Sequence, residues 1–161
     1  MAIGMLSGVV IDGFEKILES IAVVAIFIPL IMGMGGNVGT QSSTVFARGV
    51  ILGHIQLKNF LKHFLKEIGI GFSIGLLIGI ISGVIATLWL GIPMLGLAVG
   101  LAMVVTTTVA ALLGFLVPYV LIKFNVDQAA GSAPIITTLK DLVALIIYFI
   151  CVSAFLGNMI K

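Results

Sequence analysis

The chain has 161 residues, of which 61% are hydrophobic and 9% are charged, whereas an average soluble domain has about 25% charged residues. This composition excludes a soluble globular domain, whose interior is too small to bury so much apolar surface, and it also excludes a disordered chain. A formal net charge of +2 is too small to indicate nucleic-acid binding. The sequence therefore predicts an all-α integral membrane protein, in which the 20 glycines favour closely packed transmembrane helices.

Two apolar segments open the chain. Residues 1–11 predict most of a first transmembrane helix, and residues 20–34 predict a second helix that leads into a glycine-rich stretch. Proline removes a backbone donor and glycine is a poor helix former. We therefore expect the second helix to bend or unwind, with a pore-lining hinge at Pro29, Gly33, Gly35 and Gly39. Irregular backbone at membrane depth must face protein or water.

Residues 54–66 have a different pattern. Apolar side chains recur there at three- and four-residue spacing, and the opposite face carries Lys58, Lys62 and Lys66. This pattern predicts a basic amphipathic helix that lies on the membrane surface between the second and third spans. His54 and His63 lack neighbouring ligand groups, so we expect them to be solvated and predict no zinc site.

Three further spans are predicted at residues 68–90, 93–122 and 133–159, which gives five in all, since each needs about 20 residues. Glycines recur every four residues in the third span and predict one face that packs closely on another helix: Gly71, Gly75, Gly79 and Gly83. The three threonines at 106–108 either line a pore or bond to carbonyls of the preceding turn, and we favour the second interpretation.

Lysine and arginine positions predict the orientation. With five spans, five cations share one side of the membrane, and only Lys16 and Lys161 lie on the other; the five are Arg48, Lys58, Lys62, Lys66 and Lys123. The positive-inside rule places these five in the cytoplasm, so that the N-terminus is cytoplasmic and the C-terminus lies outside.

The remaining acids mark the two mouths of this arrangement. An acidic outer mouth that attracts cations is predicted from Asp12, Glu15 and Glu19. Glu67 and Asp127 lie on the cytoplasmic side, either as an inner cation-binding mouth or as ordinary solvated carboxylates.

Asp141 is the strongest candidate for function. It lies about ten residues into the fifth span, which is about 15 Å deep, and a carboxylate there costs at least about 2.5 kcal/mol unless it is paired or hydrated. It either faces a cation pathway, which we favour, or is structurally paired or protonated. Lys140 is its neighbour, but adjacent helix positions do not face each other, so Lys140 needs another partner or must reach the membrane surface.

The glycine-rich stretch is the second candidate. Its backbone carbonyls are joined by side-chain oxygens from Asn37, Gln41, Ser42 and Thr44. Oxygen ligands suit hard cations such as Mg²⁺, which keeps much of its water when bound. The alternative is that these glycines only pack against a crossing helix.

Several of these residues stand in recognisable motifs. They are Gly13-Phe14-Glu15, Phe27-Ile28-Pro29, the run from Gly33 to Ser42, Arg48-Gly49, the run from Asp127 to Pro134, the run from Thr137 to Asp141, and Ile146-Ile147-Tyr148. Together the motifs resemble the membrane domain of the MgtE family of magnesium channels and transporters, over nearly the whole of residues 1–161.

The resemblance implies a homodimer of five-helix units with a Mg²⁺ path along the two-fold axis. It implies a central ion site at Asp141, with neighbouring groups from Gly36, Asn37, Thr40, Thr44 and Thr137. It also implies inner acids at Glu67 and Asp127 and an outer acid at Glu19. Mg²⁺ is then the transported ion, and no organic cofactor is expected.

We therefore expect a divalent cation channel or transporter in a cytoplasmic membrane, without the cytosolic sensor domain common in bacterial members. The alternative is a carrier that exchanges Mg²⁺ for Na⁺ or H⁺, with which a broken helix is compatible. A membrane enzyme is disfavoured, because no histidine lies at membrane depth and no second aspartate accompanies Asp141 there. Two departures from the family pattern are Thr40, where other members can have asparagine, and Lys140, which adds a cation beside the site.

Overall fold

The computed structural model of the chain describes residues 2–15, 22–124 and 128–157, and it describes side chains at 7–15, 22–56, 58–124 and 137–157. Within these ranges lie five α-helices and two short 3₁₀ helices, and no strand. In chain order they are α1 (Ala2–Asp12), a 3₁₀ helix (Ala22–Phe27), α2 (Ile28–Ile51), a 3₁₀ helix (Leu57–Asn59), α3 (Phe60–Leu90), α4 (Pro93–Lys123) and α5 (Gln128–Leu156).

Four segments of the described chain are long and apolar enough to cross a membrane: Ala22–Ile51, Phe60–Leu90, Pro93–Lys123 and Thr137–Leu156. A spanning helix needs about 20 residues, whereas α1 has 11. The predicted all-α membrane class is therefore confirmed for the described part of the chain. Of the five predicted spans, four are long enough to cross a membrane in the described residues, and α1 is an additional short helix.

Helix α4 lies at the centre of the bundle and packs against α2, α3 and α5. Helices α2 and α4 run parallel, because Gly35 of α2 meets Thr106 and Phe46 of α2 meets Phe115 further along α4. Helices α3 and α5 run in the opposite direction. The end of α2, the start of α3, the end of α4 and the start of α5 consequently share one end of the bundle.

Helix α2 is continuous from Ile28 to Ile51, so the predicted unwinding between Pro29 and Thr44 is wrong. Pro29 lies in the first turn of the helix, where its missing N–H is not needed. Among the described glycines, only Gly53 and Gly91 have a positive φ. The glycines of α2 therefore keep helical backbone, and the hinge assigned to Pro29, Gly33, Gly35 and Gly39 stays a prediction.

Two of the α2 glycines serve close packing instead. A Cβ atom added at Gly35 would lie 2.9 Å from Thr106 Cγ2, and one added at Gly39 would lie 2.8 Å from the Ala110 carbonyl oxygen. Real Cβ atoms essentially never come this close to another residue. Glycine costs about 1 kcal/mol relative to alanine in a helix interior, and here the close approach of α2 to α4 offsets that cost. The alternative of glycine packing against a crossing helix is thus confirmed for these two positions.

The separate surface helix predicted for residues 54–66 is also wrong. Residues 52–55 form turns and bends, and residues 60–66 are the first two turns of the same helix that continues to Leu90. The reason is a cluster of aromatic rings at the shared end of the bundle. Phe60 lies 4.4 Å from Tyr119 and 5.5 Å from Phe115, ring centre to ring centre. These contacts hold the start of α3 against the end of α4.

The glycine face predicted for the third span is confirmed as a packing face of α3 against α4. A Cβ atom at Gly79 would lie 2.6 Å from the Gly100 carbonyl oxygen, and one at Gly83 would lie 2.8 Å from the Gly96 carbonyl oxygen. The two backbones therefore meet with no side chain between them. Helix α3 ends at Leu90 and is capped by Gly91, whose φ of 69° is accessible without strain to glycine. Helix α4 begins at Pro93.

The threonines of α4 behave mostly as the sequence predicts. The Thr107 hydroxyl donates to the Met103 carbonyl at 2.7 Å, and the Thr108 hydroxyl donates to the Val104 carbonyl at 2.7 Å. The buried Thr106 hydroxyl has no hydrogen-bond partner among the described residues. The backbone-bonding interpretation is confirmed for two of the three residues.

We expect Gly79→Ala to destabilise the fold by about 1–3 kcal/mol, because the new methyl group has no room against Gly100. The matched control is Gly69→Ala on the same helix, where an added Cβ meets nothing within 4 Å. Thermal unfolding in detergent measures both. Equal shifts for the two variants would contradict the close contact between α3 and α4.

Candidate functional site

Helices α2 and α5 line an open cleft of about 490 Å³. Its lining residues are Met32, Gly33, Gly36, Asn37, Thr40, Gln41, Thr137 and Asp141. The α2 members recur at three- and four-residue spacing and so share one face of that helix. Thr137 and Asp141 lie one turn apart on α5. The cleft is polar for a site between two membrane-spanning helices.

The cleft brings together most of the residues that the sequence singled out. Asp141, Gly36, Asn37, Thr40 and Thr137 all line it, and Gln41 and Gly33 join them. This convergence follows from an unbroken α2, because a continuous helix keeps its polar residues on one face.

Other predicted residues lie elsewhere. Thr44 is one turn beyond Thr40 and does not line the cleft; its hydroxyl donates to the Thr40 carbonyl at 2.9 Å. Ser42 is on the buried side of α2, where its hydroxyl donates to the Ala111 carbonyl at 2.8 Å. Gly35 and Gly39 face α4 and α5 rather than the cleft.

Lys140 is the residue whose role sequence reasoning missed. Its side chain is 1% exposed, and its ammonium lies between α5 and α2. There Nζ donates to the Gly36 carbonyl at 2.7 Å and to the Thr40 hydroxyl at 3.0 Å. The Thr40 hydroxyl itself donates to the same Gly36 carbonyl at 2.8 Å. The lysine therefore bonds, from the side of α2 that packs against α5, to two residues that also line the cleft.

Gly39 makes room for this lysine. A Cβ atom added at Gly39 would overlap Lys140 Cδ and would lie 3.2 Å from Lys140 Cε. The aliphatic stem of Lys140 thus crosses α2 at Gly39, where no side chain is in its way. The signal in the sequence is Gly39, which lies between Gly36 and Thr40. It indicates the position of the Lys140 side chain only once α2 and α5 are known to be in contact.

Asp141 lines the cleft and is partly buried. No hydrogen bond or ion pair to its carboxylate occurs within the described ranges, and Lys140 points to α2 instead of to its neighbour. Lys140 and Asp141 therefore do not form the structural ion pair that was the alternative interpretation. The carboxylate remains open to whatever enters the cleft.

Glu67 lies in a second cleft of about 570 Å³, at the end of the bundle where α2 ends and α3 begins. Its polar neighbours there are basic: Arg48, His54, His63 and Lys66. Arg48 is on α2 about 12 Å along the helix from Thr40, so Glu67 and Asp141 belong to separate clefts. Glu19 and Asp127 lie outside the described residues. In the part of the chain that the structure describes, no three His, Cys, Asp or Glu side chains form a cluster.

Cationic side chains collect at the end of the bundle that holds the second cleft. Arg48 is in the last turn of α2, Lys62 and Lys66 are in the first turns of α3, and Lys123 is in the last turn of α4. The contact between Phe60 and Tyr119 brings these helix ends together. These cations, which the sequence predicts to share one side of the membrane, thus lie at one end of the folded bundle.

A family model described as a divalent cation transporter, MgtE, matches residues 28–151 of this chain. The chain belongs to the MgtE family. The matched region contains α2, α3, α4 and most of α5, and with them the whole lining of the Asp141 cleft. The resemblance drawn from the sequence motifs is confirmed.

Curated relatives agree with this membership. The chain is similar to the magnesium transporter MgtE of Bacillus subtilis (strain 168), with 33% identity over 157 residues that cover 98% of this chain and 35% of the relative. It is 35% identical over 145 residues to the magnesium transporter MgtE of Thermus thermophilus, covering 90% of this chain and 32% of the relative. It is also 35% identical over 154 residues to that of Enterococcus faecalis, covering 96% and 34%. The MgtE-family chain therefore spans about a third of the length of these relatives.

We expect Gly39→Ala to displace Lys140 from its partners on α2 and to destabilise the fold by about 1–3 kcal/mol. Gly33→Ala on the same helix is the control, because a Cβ there meets nothing within 4 Å. Unfolding in detergent compares the two variants. A stable Gly39→Ala protein would mean that Lys140 does not cross α2 at this position.

Proposed function

We propose that this chain is an ion-permeation unit that moves Mg²⁺ across the cytoplasmic membrane through the Asp141 cleft. The observation that carries the proposal is a carboxylate without a protein partner among the described residues, in a polar cleft between membrane-spanning helices of an MgtE-family chain. A carboxylate at membrane depth is costly unless it is paired or hydrated. A hydrated cation supplies both the charge and the water that Asp141 requires.

The chemistry of the cleft suits a hydrated ion better than a stripped one. Mg²⁺ releases its water reluctantly and is bound by one or two carboxylates, with several waters kept. Asp141 supplies the charge in this proposal. Asn37, Gln41 and Thr137 supply amide and hydroxyl groups that hydrogen-bond to the retained water. Gly36 and Thr40, whose oxygens bond to Lys140, shape the wall of the cleft. Mg²⁺ is thus the transported substrate, and no organic cofactor takes part.

The proposed assembly is a homodimer with the cleft on its two-fold axis. One cleft offers a single carboxylate in the described part of the chain, which balances only half the charge of a divalent ion. A two-fold axis beside the cleft places a second Asp141 opposite the first, so that two carboxylates neutralise one Mg²⁺. The openness of the cleft on the surface of one protomer supports this arrangement, since a partner is needed to close it.

The proposed orientation follows the cationic end of the bundle. That end lies in the cytoplasm by the positive-inside rule. With α1 as part of a fifth crossing, the N-terminus is cytoplasmic and the C-terminus is outside. Glu19 then serves the outer mouth, and Glu67 with Asp127 serves the inner mouth, where they attract the ion on its path.

Passive permeation is preferred here to coupled exchange. The carrier alternative, in which Mg²⁺ is exchanged for Na⁺ or H⁺, drew on a broken helix. Helix α2 is unbroken from Ile28 to Ile51, so that argument no longer favours a carrier. The proposed role is transport and not catalysis.

We expect Asp141→Asn to abolish Mg²⁺ flux, because the neutral side chain removes the charge that holds the ion in the cleft. The measurement is Mg²⁺ uptake by proteoliposomes that contain the purified chain. Ser153→Ala is the control on the same helix, since the Ser153 hydroxyl donates within α5 to the Phe149 carbonyl at 2.7 Å and Ser153 does not line the cleft. Size-exclusion chromatography checks that the Asp141→Asn protein assembles as the unmutated chain does. If it does, undiminished flux in this variant would overturn the assignment.

A further inference from the structure

The ammonium of Lys140 lies where a small cation would find oxygen ligands. Its Nζ is held by the Gly36 carbonyl at 2.7 Å and the Thr40 hydroxyl at 3.0 Å. Carbonyl and hydroxyl oxygens are groups that alkali and alkaline-earth cations accept in place of water. The two oxygens therefore offer a small cation subsite beside the cleft. The Lys140 ammonium occupies this subsite.

The fit of the lysine is specific to this position. The side chain is 1% exposed, its stem passes the gap left by Gly39, and its head reaches the two oxygens. No carboxylate bonds to the ammonium within the described ranges, although burial of a charge is costly without compensation. Asp141 is the nearest opposite charge along α5, and it faces the cleft and not the lysine. The Lys140 ammonium thus lies one residue along the chain from Asp141 without an ion pair to its carboxylate.

We propose that Lys140 is a tethered cation that occupies the oxygen subsite of Gly36 and Thr40 and thereby weakens the binding of the divalent ion at Asp141. This inference rests on the proposed function, because it specifies how the same cleft sets its affinity. The lysine repels a second cation in the cleft, since its ammonium bonds to two residues that line the cleft. It also withdraws two oxygens that would otherwise serve the ion or its water.

The consequence is a site that releases its ion readily. In the proposed dimer, two Asp141 carboxylates and two Lys140 ammonium groups sum to zero charge before the ion arrives. The two Lys140 ammonium groups therefore repel the divalent ion while the two Asp141 carboxylates attract it. The ion is held by the carboxylates through water, in a site whose net charge is zero before the ion binds. Conduction needs a site that is occupied and yet quickly vacated, and a tethered cation supplies the second property.

The test replaces Lys140 in the full chain by two neutral residues. Lys140→Met keeps an apolar stem across Gly39 and removes the ammonium from both oxygens, whereas Lys140→Gln is neutral but keeps a donor for the Gly36 carbonyl. Isothermal titration with MgCl₂ in detergent should give a dissociation constant at least about tenfold lower for both variants than for the unmutated chain. A merely structural lysine predicts a different result, namely lower thermal stability in Lys140→Met, recovery in Lys140→Gln, and an unchanged dissociation constant in both.

Ammonium ions provide the second readout. Added NH₄Cl, at ionic strength held constant with a bulky organic cation, should refill the vacated subsite in Lys140→Met and weaken Mg²⁺ binding toward that of the unmutated chain. The unmutated chain should not respond, since its subsite is filled. Unchanged or weaker Mg²⁺ binding in both variants would overturn the inference, and tighter binding without any ammonium effect would contradict the subsite.

Asp141→Asn in the same titration separates the two proposals. If this variant binds Mg²⁺ as the unmutated chain does, the proposed ion site itself is wrong. If Asp141→Asn abolishes binding while the two Lys140 variants leave the dissociation constant unchanged, the ion site stands and only the tethered cation fails.

Discussion

The architecture depends on how closely α2 approaches α4 and α5. Apolar side chains gain little by leaving lipid for another helix, so membrane helices are held by close packing and by polar contacts. Gly35 and Gly39 let α2 lie against its neighbours, and Gly114 of α4 completes the contact, since a Cβ there would overlap the Gly39 carbonyl and lie 2.9 Å from Ser42 Cβ. The polar face of α2 is consequently turned toward α5, which defines the cleft.

The same approach separates two charges that are neighbours in sequence. Lys140 enters the packed side of α2 through the gap at Gly39, whereas Asp141 turns to the open cleft. Lys140 thus serves the contact between the helices, whereas Asp141 faces the open cleft. Because Gly36 and Thr40 bond to the lysine and also line the cleft, the position of α5 on α2 sets the shape of the proposed ion site.

Much of this could be predicted from local patterns. The four-residue glycine spacing of α3 predicted its contact with α4, and the intramembrane position of Asp141 drew attention to the cleft. The errors concern contacts between residues far apart in sequence. Phe60 joins α3 because it packs on Tyr119, which no local periodicity reveals. A cluster of glycines predicts a weak helix, but whether the helix yields or a neighbour fills the space depends on the partner helix, as it does at Gly39. The partner of Lys140 was hidden for the same reason.

The central claim is that a divalent ion occupies the space between two Asp141 carboxylates. Anomalous diffraction from crystals of the chain grown with Mn²⁺, as a stand-in for Mg²⁺, tests it most directly. The account predicts one anomalous peak per dimer on the two-fold axis, between the two Asp141 side chains and separated from them by water, and its loss in the Asp141→Asn protein. A peak that lies elsewhere, or one that persists between the two asparagines of that variant, would contradict it.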